Sequence, residues 1–335
     1  MADDKRQWAI GNGQWERPGH SAPIAHSPSP IPVLVGPTGI GKTAVASALA
    51  QLAPIEIISA DSRQIYRGLD IGTAKPTPAE RAAAPYHGLD LLDPRERYSA
   101  GRFAREVPGW VADIAGRKRL PVVVGGTGFY LRALFDGLFA EPELDPERRE
   151  RLRPVIGALP AREQSRWAER LDAGFKGGGT QRAQRAIEVA LLSGVALSDR
   201  HADTAPSPAV SPWYALMTLP REPLVERIAG RVRAMLAEGL VDEVRRVLAS
   251  GVPADAPGLS GVGYAEVVEH LQGQRPAAEL EAAIIVATRR YAKRQATWFR
   301  HQLKGPVLVL DASRPPDALA QAMLTGYRAH LTLDT

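Results

Sequence analysis

The octapeptide GPTGIGKT at positions 36–43 constrains the fold of this 335-residue chain more than any other feature. It follows the apolar run IPVLV and precedes the helix-forming stretch TAVASALA. Gly36, Gly39 and Gly41 let the backbone approach a ligand closely, and the helix that follows aims its unpaired N–H groups and positive dipole end at the same point. Lys42 adds a mobile positive charge, and Thr43 supplies a hydroxyl of the kind that ligates Mg²⁺ in such loops. The match to G-x-x-x-x-G-K-[ST] is complete and sits between strand and helix, so the segment is expected to bind a polyphosphate. The cradle reads phosphate charge and geometry and no nucleobase, which leaves the ligand open at this point.

Further short apolar segments follow, IEIIS at 55–59, GLDLL at 88–92 and PVVVG at 121–125, separated by helical sequence. That alternation predicts an α/β fold, a P-loop NTPase-like parallel sheet flanked by helices. WYALMTL at 213–219 and PVLVLDA at 306–312 are expected to complete the sheet. Between about 139 and 204 the sequence becomes charged and helical, so a helical insertion is expected there, with the core spanning 31–138 and 205–335. In its clearest helix the triple glycine at 177–179 is a breaker and Thr180 the expected N-cap. Ala183, Ile187, Ala190 and Leu191 follow helical spacing, with Gln181 and Arg185 on another face. Residues 1–30, rich in Gly, Pro, Ser and His, read as a flexible leader.

Composition narrows the chemistry. The chain has no cysteine, which excludes disulfides, thiolate metal sites and a cysteine nucleophile, and fits a reducing, cytoplasmic setting. No apolar run reaches the length of a membrane span. A formal net charge of +5 favours an acidic partner. A kinase or ATPase normally carries an acidic residue at the end of another strand to organise Mg²⁺. The one clean apolar run ending in Asp is VLVLD, at Asp311, while the central PVVV runs into an uncharged Gly125-Gly126-Thr127-Gly128 loop.

The stretch SADSRQIYRGLDIGTAKPT, together with the phosphate loop and VVGGTGFYLRAL, closely resembles the tRNA dimethylallyltransferases, also called isopentenyl-tRNA transferases. QRAQRAIEVALLSG, GVGY and ATRRYAKRQATWFR agree in the family's order, so the resemblance spans about 31–300. It implies transfer of a dimethylallyl group from dimethylallyl diphosphate to N6 of the adenosine immediately 3′ of the anticodon, in tRNAs reading UNN codons, with release of pyrophosphate. Mg²⁺ is the implied cofactor, with Thr43 its protein ligand. Diphosphate binding falls to Gly36, Thr38, Gly39, Gly41, Lys42 and Thr43, joined by Arg231. Asp61 resembles the family's general base and Thr127 its donor to the bridging oxygen of the leaving group.

The RNA partner implied is the tRNA anticodon stem-loop, and a monomer is expected. The family's RNA-contacting segments fall on Asp61, Ser62, Arg63 and Gln64, then on Arg149, Gln181, Arg182 and Arg185 of the insertion. Further along they fall on Gly263 and Tyr264. In the last segment Lys293, Arg294, Gln295 and Arg300 carry the expected contacts, with Trp298 interleaved as a stacking surface. Two departures stand out: Ala265 follows Gly263-Tyr264 where the family commonly has a basic residue, and FKGGGT precedes Gln181 in place of a His-Pro-Asn-Asp-like run. The competing class is an ATP-dependent small-molecule or nucleoside kinase using the same loop. DSRQIY and GGTGFYL are the segments that such a kinase does not predict.

Overall fold

The computed structural model describes residues 30–137, 144–201 and 210–333. Its centre is a six-stranded, wholly parallel sheet of β1 (Ile31–Val35), β2 (Ile55–Ala60), β3 (Tyr86–His87), β4 (Leu120–Gly125), β5 (Pro212–Thr218) and β6 (Val307–Asp311), in the order β3-β2-β4-β1-β5-β6. β1 and β2 are buried at every position, as parallel strands covered on both faces must be. The expected strand at 88–92 is not formed. Its place is taken by the two-residue β3, and positive φ at Gly88 and Asp90 turns the chain out of the sheet directly afterwards.

Alternation along the strands divides the core. Val33, Val35, Ile58, Ala60 and Val123 face the helices Ala100–Gly116 and Gly128–Phe135, while Leu34, Ile55, Ile57 and Val122 face Lys42–Leu52 and Pro316–Leu333. The 100–116 helix forms where Ser99 caps it, accepting from Arg102 N–H at 3.0 Å, and it buries Phe103, Val107 and Ile114 on one stripe. Truncating Phe103 to alanine would cost about 3–5 kcal/mol. On β2, the buried Glu56 is gripped by Arg117 through two hydrogen bonds of 2.9 and 2.7 Å, with His87 at 2.8 Å, and Arg117 above all pulls its pKa down to about 2.

A third cluster lies beyond the carboxyl ends of the strands, among the helices Arg221–Ala237, Leu240–Ala249, Tyr264–Leu271 and Ala277–Gln302 and the loop that follows β2. Helices Pro146–Gly157, Ala161–Leu171 and Thr180–Ser193 have a small core of their own around Ile156, Ala168, Ala183, Ala186 and Ile187. Gly179 is the N-cap of the last of these, one residue before the expected Thr180. Leu191, expected on the buried stripe, is 47 % exposed. The expected insertion boundaries at 139 and 204, and residues 1–29 of the expected leader, lie outside the described residues.

Candidate active site

Three loops meet at the carboxyl ends of β1, β2 and β4, where open α/β sheets place their ligands. The strands bring them together by register: Gly125, the last residue of β4, pairs with Val35 on one side and Ala60 on the other. The phosphate loop leaves β1 at Gly36. Gly39 has φ of 80°, and a Cβ there would lie 3.0 Å from the Ile228 side chain, so both conformation and space demand glycine. Gly41, also left-handed, is the N-cap of the 42–52 helix. Lys42 Nζ donates to the carbonyls of Gly36 at 2.8 Å and Pro37 at 3.0 Å. Burial pulls its pKa down to about 8; the Asp61 charge opposes this and Arg231 adds to it. Arg231 is likewise pulled down by burial, against the attraction of Asp61. Two cations and one carboxylate thus converge on the space above the loop.

Asp61, half-buried directly after β2, accepts from Arg63 N–H at 2.8 Å through Oδ1, which fixes the turn. Thr127 opens the 128–135 helix, its N–H bonded to the Ala60 carbonyl at 3.1 Å. Its hydroxyl accepts from Ser62 N–H at 3.1 Å. Arg63 reaches away to the Pro257 carbonyl at 2.8 Å and the Ser260 hydroxyl at 3.1 Å. Gln64 accepts from the Ser59 hydroxyl at 2.9 Å and donates to the carbonyls of Thr73 and Ala74, so it braces the loop from within. Farther along that loop the buried Lys75 ammonium is held between Asp70 and Asp90, 2.6 Å from each.

Some residues expected to face RNA sit elsewhere. Gln295 is buried, with Oε1 accepting from Thr38 N–H and Nε2 donating to the Gly126 carbonyl, both at 2.8 Å. Trp298 is half-buried with its ring against Gly128, where a Cβ would come within 2.4 Å. Tyr264 is 1 % exposed and donates to Glu243 Oε1 at 2.6 Å; the same carboxylate accepts from the N–H groups of Asp70, Ile71 and Gly72. Its side chain therefore holds the 70–72 loop, and Gly263, expected with it to face RNA, is likewise buried, in a left-handed turn with φ of 93°. Arg149 and Arg185 flank the buried Glu188, at 3.0 and 3.3 Å.

Other expected residues face solvent. Lys293, Arg294 and Arg300 are exposed on the 277–302 helix, with the Arg294 guanidinium 5.7 Å from the Tyr291 ring centre, and Gln181 and Arg182 are exposed at the start of the 180–193 helix. An open groove of about 640 Å³ runs beside the phosphate loop, with Leu224, Ile228 and Ala296 on its apolar floor and Arg289, Lys293 and Arg300 on its rim. Tyr291 was not anticipated. It lies beside Thr127, and burial pushes its pKa up to about 12, with Asp61 acting in the same direction. Its position four residues before Gln295 on one helix face was the signal available.

Among the described residues no cluster of three or more His, Asp or Glu side chains could hold a metal ion. A lone hydroxyl at Thr43 instead suits Mg²⁺, which keeps its waters and borrows ligands from bound phosphates.

Fold and site together define a P-loop-type α/β protein with its glycine-rich loop at the carboxyl edge of a parallel sheet. Family models described as IPP transferase and isopentenyl transferase match residues 64–302 and 30–84. The chain belongs to the IPP transferase family, that of the tRNA dimethylallyltransferases. It is 42 % identical over 306 residues to the tRNA dimethylallyltransferase of Acidovorax ebreus, covering 87 % of this chain and 94 % of that one. With tRNA dimethylallyltransferase 1 of Syntrophotalea carbinolica it shares 44 % over 281 residues, 81 % of this chain and 88 % of the relative. The solved full-length tRNA isopentenylpyrophosphate transferase of Bacillus halodurans superposes with a TM-score of 0.66 at 30 % identity, over 91 % of this chain and 99 % of that one. A eukaryotic dimethylallyltransferase acting on tRNA gives 0.70 at 26 % identity, over 85 % and 74 %.

Proposed function

We propose that this protein transfers the dimethylallyl group of dimethylallyl diphosphate to N6 of the adenosine immediately 3′ of the anticodon in tRNAs reading UNN codons. The observation that carries the reading is the convergence of Lys42 and Arg231 with Asp61 and Thr127 at the ends of β1, β2 and β4. The loop and Arg231 bind the diphosphate, and Lys42 exchanges its carbonyl partners for phosphate oxygens. As N6 attacks the allylic carbon, the carbon–oxygen bond breaks and negative charge grows on the pyrophosphate, where these cations stabilise it. Asp61 takes the N6 proton, a contribution of about 10²- to 10⁴-fold. The Thr127 hydroxyl, which accepts from Ser62 N–H at 3.1 Å, turns its proton from the Ser62 hydroxyl, 3.5 Å away, to the bridging oxygen of the leaving group. Thr43 would hold Mg²⁺, which when bound neutralises phosphate charge.

The acceptor base must leave its stack to reach Asp61, which suits an unpaired loop. Lys293, Arg294 and Arg300 offer phosphate contacts on one side, and the insertion, proposed to span 139–204, offers Gln181 and Arg182 on the other. The relatives carry names of prenyl transfer and none of phosphoryl transfer, so the kinase alternative is set aside. The test is transfer of label from dimethylallyl diphosphate to an unmodified anticodon stem-loop, with and without Mg²⁺ and with ATP offered in parallel. Label on the adenosine 3′ of the anticodon is the expected result; consumption of ATP alone would overturn the reading.

A further inference from the structure

We infer that Gln295 is a positioning residue that fixes the separation of the two loops between which the diphosphate is held, an inference that rests on the prenyl-transfer reading above. Its buried amide uses both ends: Oε1 accepts from Thr38 N–H at 2.8 Å, and Nε2 donates to the Gly126 carbonyl at 2.8 Å. Thr38 lies inside the phosphate loop, and Gly126 immediately precedes Thr127. One rigid planar group therefore spans the loop after β1 and the loop after β4. The sheet does not do this, because the pairing of β1 with β4 ends at Val35 and Gly125, before either loop begins. The fit is close: a Cβ on Gly126 would lie 2.4 Å from Nε2.

The neighbours on the same face reinforce the span. Trp298, three residues later, covers Gly128, and Tyr291, four residues earlier, lies beside Thr127. Positions 291, 295 and 298 share one side of the helix, which lies as a splint across the mouth of the site. The chemistry needs that splint. The 36–43 loop holds the phosphates while Thr127 serves the bridging oxygen, and a misplacement of about 1 Å between such groups costs about 100-fold in rate. An amide suits the place because it carries a donor and an acceptor without charge. A carboxylate there would face the Gly126 carbonyl lone pairs and set a negative charge beside the diphosphate.

The test compares wild type with Gln295→Met and Gln295→Glu in prenyl transfer to the anticodon stem-loop. Gln295→Met is expected to keep its thermal midpoint within a few degrees and its RNA affinity within about twofold, while kcat falls by about 30-fold or more and KM for dimethylallyl diphosphate rises severalfold. Gln295→Glu is expected to be nearly inactive at pH 8 and to recover about tenfold relative to wild type as pH falls toward 5.5. The protonated carboxyl then restores one donor and one acceptor. If Gln295→Met does not fold, this pH profile decides. Wild-type kcat and KM in Gln295→Met, a loss confined to RNA affinity, or a flat ratio of Gln295→Glu to wild type across pH would each overturn the inference alone. Absence of transfer by wild type would overturn the reading on which it rests.

Discussion

The Ser62 N–H donates to the Thr127 hydroxyl at 3.1 Å, so the residue following Asp61 is tied to the loop that follows β4. The proposed base and the proposed leaving-group donor thereby share one support. Asp61→Ala is expected to lower single-turnover transfer by about 10²- to 10⁴-fold with RNA affinity within a few-fold. Thr127→Ser, which keeps the oxygen that Ser62 binds, should retain far more activity than Thr127→Val. Wild-type turnover in Asp61→Ala would remove the base assignment.

Lys42 provides a pH handle. Burial depresses its pKa to about 8, so its charge is present below that pH and is lost above it. Affinity for dimethylallyl diphosphate should therefore fall above pH 8, by up to about tenfold per pH unit. The sign for folding is opposite. Between about 8 and the ordinary value of 10.5 the unfolded chain binds the extra proton, so this group makes stability rise with pH across that window. Titration calorimetry reads the affinity and thermal unfolding the stability, each from pH 7 to 9.5 on wild type and Lys42→Met, and the variant should lack both contributions.

Tyr264 separates a structural role from an RNA contact. Tyr264→Phe removes one of the four donors to the Glu243 carboxylate in a buried site, which should cost about 1–3 kcal/mol. Thermal unfolding and filter binding read the two consequences, and the expected pattern is a lowered Tm with RNA affinity unchanged. Weakened RNA binding at an unchanged Tm would return the tyrosine side chain to the RNA interface.

Arg294 is exposed on the 277–302 helix beside Lys293. If it neutralises one phosphate of a single-stranded loop, Arg294→Ala should weaken RNA binding at low salt and lower the slope of log K against log salt by about 0.7. An unchanged slope would place that side chain on a merely solvated face.

The sheet was legible because its strands are continuous apolar runs and its phosphate loop has a fixed spacing of glycine, lysine and threonine. The third strand was misplaced because GLDLL is apolar enough to read as a strand; Leu91 and Leu92 instead pack into the third cluster, beneath the loop after β2. In the site, the loop residues were named from their motif and Asp61 and Thr127 from the family resemblance, and the fold brings the three loops that carry them together. Gln295 and Tyr264 were assigned to RNA because sequence cannot tell a polar side chain that faces solvent from one that staples two loops. Their partners, Thr38 and Glu243, lie 257 and 21 residues away, and only the fold brings them together.

Lys42 caps the carbonyls of Gly36 and Pro37. Its ammonium keeps the turn shaped around a positive centre. Under the proposed function, arrival of a diphosphate is an exchange of partners, in which neutral carbonyl oxygens give way to charged ones, so the gain scales with the charge the newcomer brings. An isoprenoid alcohol has nothing to offer in that exchange and a monophosphate has little. Under the proposed function the loop screens its cargo by charge, before the shape of the hydrocarbon is ever read.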